Sequence, residues 1–224
     1  MKRSQINAYI EEAIQFFNDR RFCLPPFAYW TEAEWQAKGA EYDEIRDNML
    51  GWDLTDFGSG AFDKQGLLLF TVRNGNLHDA AYPKPYAEKI MLVKENQITP
   101  YHFHWSKMED IINRGGGNLV IRLYNSLPDE SLDKVTDVIA QVDGRHVRLP
   151  AGGIVTLTPG ESITLAQRQY HSFWGQEGKG MVMVGEVSKV NDDHADNRFA
   201  VPAGRFPTIE EDAPKAHLLC TDYR

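Results

Sequence analysis

The chain has 224 residues, 42% of them hydrophobic, and a formal net charge of −8. That length buries one sizeable core, and an acidic chain with no long Lys/Arg tract is excluded as a reader of phosphate backbones, so nucleic acid is not an expected partner. Its longest apolar runs, such as 66–72 and 181–187, are strand-length and too short to span a bilayer as helices.

The N-terminus turns amphipathic at once and lacks the apolar stretch of a signal peptide. Only Cys23 and Cys220 occur, without ligand-type spacing. Neither a disulfide framework nor a zinc knuckle is indicated, and a reducing cytoplasm is the expected location. Ser4 is placed to cap a first helix in which Ile6, Tyr9, Ile10, Ala13, Ile14 and Phe17 recur at helical spacing. Pro25 and Pro26 interrupt the chain. Thr31 with Glu34 reads as a capping box, and Gly39 is a natural stop for that short helix. A third helical stretch spans about 40–50 and closes at Gly51. Residues 1–51 are therefore expected to form a helical extension packed on the outside of the remaining chain.

After Gly51 the pattern changes to short runs rich in branched and aromatic residues: 67–72, 89–93, 119–124, 154–158, 162–165 and 181–187. Turn signals separate them, among them Asn74-Gly75, Asp143-Gly144, Gly152-Gly153 and Pro159-Gly160. Many short strands with regular turns predict a sandwich or barrel over 52–224, with an irregular tail from about residue 191 wrapped on it. The two parts make one structural domain. The expected class is mainly β.

The segment from Pro100 to Glu109 carries the chemistry. Residues two apart on a strand share a face, so His102 and His104 can converge on one point inside a barrel. Glu109 follows after a short bend, and His171 lies beyond the Pro159-Gly160 turn. Three imidazoles and a carboxylate suit a divalent transition ion better than Ca²⁺ or Mg²⁺. A lone His-x-His pair would more often be structural; the Glu, the Gly-rich stretch 115–117 and the distal His favour a metal centre. His78, His146 and His217 have no partner at ligand spacing and read as surface histidines. Glu186 interrupts an apolar run, where an acidic residue is costly unless paired or functional, although alternation also permits it to face solvent. Lys89 precedes the His pair on a strand, and Lys107 lies between His104 and Glu109. Either can equally be a solvated side chain. Asp193 and Arg198 sit in a charged segment that either binds substrate hydroxyls or is an ordinary surface loop.

These motifs resemble the cupin superfamily: His102, His104, Glu109 and Gly115 match its first motif, and Pro159, Gly160 and His171 its second, with a longer gap before the His. That resemblance implies a jelly-roll, or double-stranded β-helix, barrel with a metal at its mouth. The stretches 86–90, 99–105, 107–117 and 185–194 further resemble the D-lyxose isomerase family. This implies interconversion of D-lyxose with D-xylulose, and of D-mannose with D-fructose, with one Mn²⁺ (or Co²⁺, Zn²⁺, Fe²⁺ or Ni²⁺) per chain and a homodimer. Moving hydrogen between C1 and C2 needs a base and a charge-stabilising cation beside the ion. Glu186, with Lys89 or Lys107, is the candidate set for proton transfer through a cis-enediol, and Asp193 and Arg198 are candidates for sugar binding. Two competing readings use the same ligands: an Fe²⁺ dioxygenase, which needs no base, and a non-catalytic sugar-binding cupin, which often lacks a ligand.

Overall fold

The computed structural model describes residues 1–190, 192 and 195–223. The helical start contains α1 (Arg3–Asp19), α2 (Glu32–Gln36) and α3 (Asp43–Asp47). The strands are β1 (Gly51–Thr55), β2 (Leu67–Arg73), β3 (Tyr86–Val93), β4 (Thr99–Phe103), β5 (Glu109–Gly116), β6 (Leu119–Ser126) and β7 (Leu132–Asp133). They continue as β8 (Val138–Val142), β9 (Arg145–Leu149), β10 (Ile154–Leu157), β11 (Ser162–Leu165), β12 (Tyr170–Gly175), β13 (Val182–Lys189) and β14 (Arg198–Phe199).

Two antiparallel sheets form the cupin barrel. One runs β1-β2-β3-β13-β5-β11-β8-β9, and the other β10-β6-β12-β4-β14 with β7 beside β6. The interior between them is filled by side chains such as Leu69, Met91, Ile111, Ile121, Ile163, Phe173 and Val184. A second apolar layer lies outside the larger sheet. There Ile6, Ile10, Ala13 and Phe17 of α1 pack with Trp52, Leu54, Leu68, Phe70, Ile90 and Leu92. This explains why 67–70 reads Leu-Leu-Leu-Phe without alternation: odd positions face the barrel, even positions face the helix, and both faces are buried.

Some local expectations change. Ser4 does not cap α1. Lys2 occupies that position, while the Ser4 N–H and hydroxyl donate to Asp212 at 2.9 and 2.7 Å. The preceding Arg3 is fully buried and pairs with Glu211 (2.7 Å) and Asp222 (3.0 Å), tying the helix to the C-terminal tail. Thr31 and Glu34 form the expected capping box. The third stretch is a 3₁₀ turn (Ala40–Tyr42) followed by α3, and Gly51 opens a strand. Among the described residues no helix is long and apolar enough to cross a membrane.

Candidate metal centre and active site

Neighbouring strands bring the predicted ligands together. β12 pairs with β4 so that His171 lies opposite His102. His104 follows the end of β4, and Glu109 opens β5 after the bend between them. One ring nitrogen from each of His102, His104 and His171 lies within 4.8 Å of the others. Glu109 Oε1 is 3.4 Å from His104 Nε2 and 3.2 Å from His171 Nε2.

The ring tautomers decide whether a cation fits. Each Nδ1 contacts a backbone carbonyl: Pro100 for His102 (2.9 Å), Asp196 for His104 (2.8 Å) and Gln169 for His171 (3.1 Å). A carbonyl oxygen only accepts, so each Nδ1 carries the proton and a neutral ring presents a bare lone pair at Nε2. Burial, together with neighbouring His171 and His104, holds His102 well below the ordinary imidazole range, which keeps it neutral. Nε2 of His104 and of His171 is buried without a hydrogen bond despite the nearby carboxylate. Lone pairs converging with a carboxylate oxygen repel unless a cation lies among them, so the donor set fits a transition ion.

Beside the histidines lies a buried ion network. Glu186 on β13 is directly opposite Lys89 on β3. Its Oε1 accepts from Lys89 Nζ at 3.3 Å and Lys107 Nζ at 3.0 Å. Lys107 Nζ also reaches Glu109 Oε2 at 2.7 Å, linking base candidate to ligand candidate. Burial opposes ionisation of Glu186, but Lys107 and Lys89 outweigh it and hold its carboxyl below the usual range. Burial likewise opposes ionisation of Glu109, and Lys107 leads the groups that hold it well below normal. Both are carboxylates at neutral pH.

His102, His104, Glu109, Lys89, Lys107 and Glu186 line one cavity, and His171 adjoins it from β12. Arg198 is not brought there. Asn197 and Phe199 line the cavity, whereas Arg198 binds Glu130 at 2.9 Å and its own neighbour's carbonyl, Phe199 O. Alternation along β14 turns it away. Asp193 lies outside the described residues. His78 is exposed beside Asp192 and His146 is exposed on β9, but His217 is not a surface residue. It is buried against Glu11, 3.0 Å away, under the tail.

Sequence reasoning missed three contributors. Asp196 accepts from the Ser106 and Lys107 N–H groups at 2.9 and 2.8 Å while its carbonyl takes His104 Nδ1, so one residue fixes the whole bend between β4 and β5. Arg205 enters the cavity paired with Asp53 of β1, and Thr99 lines it from the start of β4. No local pattern marks Asp196 or Arg205; Thr99 stood inside the motif but carried no metal-type chemistry.

Comparison with known proteins agrees with this arrangement. The family model for D-lyxose isomerase matches residues 1–223. The chain is 48% identical to a D-lyxose/D-mannose isomerase of Escherichia coli O157:H7, over all of this chain and 99% of that one. It is 50% identical to one of Serratia proteamaculans, over all of this chain and 98% of the relative. In fold it is similar to a mutant L-ribose isomerase of Acinetobacter sp. DL28 solved with L-ribose, with a TM-score of 0.63 at 15% identity, covering 94% of this chain and 98% of that one. A match over essentially the whole length, to relatives identical at about every second position, leaves one assignment: the chain belongs to the D-lyxose isomerase family, and it is a sugar aldose–ketose isomerase.

Proposed function

We propose that this protein interconverts D-lyxose with D-xylulose and D-mannose with D-fructose, using one Mn²⁺ held by His102, His104, Glu109 and His171. The observation that carries the proposal is the buried Lys89–Glu186–Lys107–Glu109 network set against three histidine lone pairs. The named activity of the two half-identical relatives supports the choice of sugars. Mn²⁺ rests on the family resemblance together with the nitrogen-rich mixed donor set.

A bound divalent ion would hold neighbouring sugar oxygens and polarise the carbonyl as a Lewis acid. The protein's own groups do the proton work. Glu186 takes the proton from C2 of the open-chain aldose as the carbonyl oxygen at C1 gains one, which gives a cis-enediol. Return of a proton to C1, with loss of the proton on O2, gives the ketose. Lys107 and Lys89, both buried, keep Glu186 ionised and offer N–H donors to the negative charge that develops on oxygen. The apolar walls, including Leu67, Leu69 and Met91, limit water around the reacting carbons.

Residues 1–51 act as a helical extension covering the barrel of 52–224 within one structural domain. We further propose a homodimer in the cytoplasm; the dimer rests on the family resemblance, and the location on a chain with only two cysteines, too few for a disulfide framework. The test is ketose formation from a panel of aldoses by chelator-treated protein reconstituted with Mn²⁺, run with and without oxygen. Turnover of D-lyxose that is unaffected by oxygen is expected. No ketose from any aldose would overturn the reading, and oxygen-dependent activity would point to a dioxygenase. Sedimentation reads the dimer independently.

A further inference from the structure

We propose that the Thr99 hydroxyl reads one of the sugar hydroxyls beyond the two reacting carbons and so sets which aldose the pocket accepts. The proposal rests on the aldose–ketose reading above and adds a specificity residue to it. Thr99 is 2% exposed, and its Oγ1 is buried without a hydrogen bond among the described residues. Its backbone is fixed, because the Thr99 carbonyl accepts from Ser172 Oγ at 2.7 Å.

Its direction comes from an irregularity in the strand. On a regular strand, residues three apart face opposite sides, so Thr99 would point away from His102. Here His171 pairs with His102 while Phe173 pairs with Thr99: β4 advances three residues where β12 advances two. The extra residue is a β-bulge, and it re-aims Thr99 onto the barrel face that carries His102. Thr99 consequently lines the cavity that holds His104, Lys107 and Glu186.

Several other polar groups of that cavity already hold partners. Thr55 Oγ1 accepts from the Phe57 N–H at 2.9 Å, Arg205 is paired with Asp53, and the lysines and glutamates hold one another. A neutral hydroxyl among apolar walls both donates and accepts, which matches another hydroxyl and not an anion. It adds little to a transition-ion site already offered three nitrogens and a carboxylate. A buried hydroxyl left unpaired costs stability, whereas one paired by substrate discriminates against analogues lacking that hydroxyl.

The experiment compares wild type, Thr99→Val and Thr99→Ser in the Mn²⁺-loaded enzyme, using D-lyxose and its 3-, 4- and 5-deoxy analogues. Calorimetry of D-arabinitol, the reduced sugar that cannot isomerise, accompanies the kinetics. Thr99→Val should keep its metal and its melting temperature yet lose about tenfold in kcat/KM for D-lyxose and in D-arabinitol affinity, the loss of one neutral hydrogen bond. One deoxy analogue should react equally well with wild type and Thr99→Val, and Thr99→Ser should stay near wild type. An unchanged Thr99→Val, or equal losses on every sugar, overturns the proposal. Should wild type bind D-arabinitol without turning over any aldose, the isomerase reading fails, and the Thr99→Val affinity still decides the role of Thr99. Should wild type neither bind D-arabinitol nor turn over an aldose, both fall.

Discussion

Replacing Glu186 by Gln removes the proposed base at nearly constant volume. The side chain is buried, and its Oε1 holds Lys89 and Lys107 at 3.3 and 3.0 Å. An amide oxygen still accepts from those lysines, but it cannot carry a proton away from carbon. Removing a positioned general base costs roughly 10²–10⁴ in rate, so turnover should fall by about that factor. Stability falls as well. Lys107 keeps Glu109 at 2.7 Å, leaving Lys89 as the buried cation that loses its carboxylate. The 3–5 kcal/mol typical of breaking a buried pair is roughly an upper limit, since the amide still hydrogen-bonds. The melting temperature should therefore drop by no more than about 20 °C. The assay is ketose formation below the variant's melting transition, with metal content measured on the same sample. In D₂O, wild type should place solvent deuterium in the ketose, although a shielded base transfers part of the label internally. Near-normal turnover by Glu186→Gln, or complete retention of a C2 deuterium by wild type, would refute proton transfer through Glu186.

Further outcomes rest on other contacts. His104→Ala removes one of the converging nitrogens and should lower metal affinity at least about 100-fold, read by competition with a chelating dye. Asp196→Ala releases the Ser106 and Lys107 N–H groups and should weaken the metal by about 10–100-fold while leaving every ligand in place; an unchanged affinity would remove Asp196 from the positioning scheme. Deleting the first 20 residues uncovers Trp52, Leu54 and Phe70, and with about 1.5–3 kcal/mol lost per buried apolar side chain of α1 the truncated chain should aggregate, which soluble yield reports. Burial opposes ionisation of Asp222, yet Lys215, the Leu219 N–H and Arg3 together hold its carboxyl below normal. That contribution is fully present above the unfolded value, near pH 4, and is lost as pH falls through the lowered folded value. Arg3→Met should thus destabilise most at neutral pH, with the gap to wild type closing in acid denaturation below about pH 4.

The barrel was legible in the sequence where a strand has one buried face or a run of branched residues, and the ligand set where spacing is local. His102 and His104 needed only the two-residue period, and Glu109 only a short bend. Strands β8 and β9 were not read although 138–149 alternates apolar with polar residues around the Asp143-Gly144 turn, because each piece is only five residues long and lacks a run of branched or aromatic residues. Arg198 was assigned by its charge, but the direction of β14 is set by pairing with β4, nearly a hundred residues earlier in the chain. Asp196 and Arg205 reach the site from the tail, whose path depends on tertiary contacts that no local pattern encodes. His217 shows the same limit, since only the folded tail lays it against Glu11.

The charges around Glu186 constrain how its substitution must be interpreted. Lys89 and Lys107 cancel Glu109 and Glu186, and Arg205 cancels Asp53. With neutral histidines, these groups sum to zero before any ion is counted, so an ion-loaded pocket is net positive. A neutral aldose gains little from that field, whereas the negative charge developing toward the enediolate gains much, and differential stabilisation of this kind lowers the barrier. Glu186→Gln makes the pocket still more positive. On electrostatics alone it would favour the developing anion and speed the reaction. A large fall in turnover would therefore oppose the field effect of the same substitution and report the missing proton acceptor. Lys107→Met supplies the opposite sign: it leaves the base, removes positive charge beside it, and should slow turnover while raising the pH at which Glu186 becomes ionised. If both variants slow the reaction, field and proton transfer are separate contributions; if only Lys107→Met does, Glu186 serves to hold the lysines and is not the base.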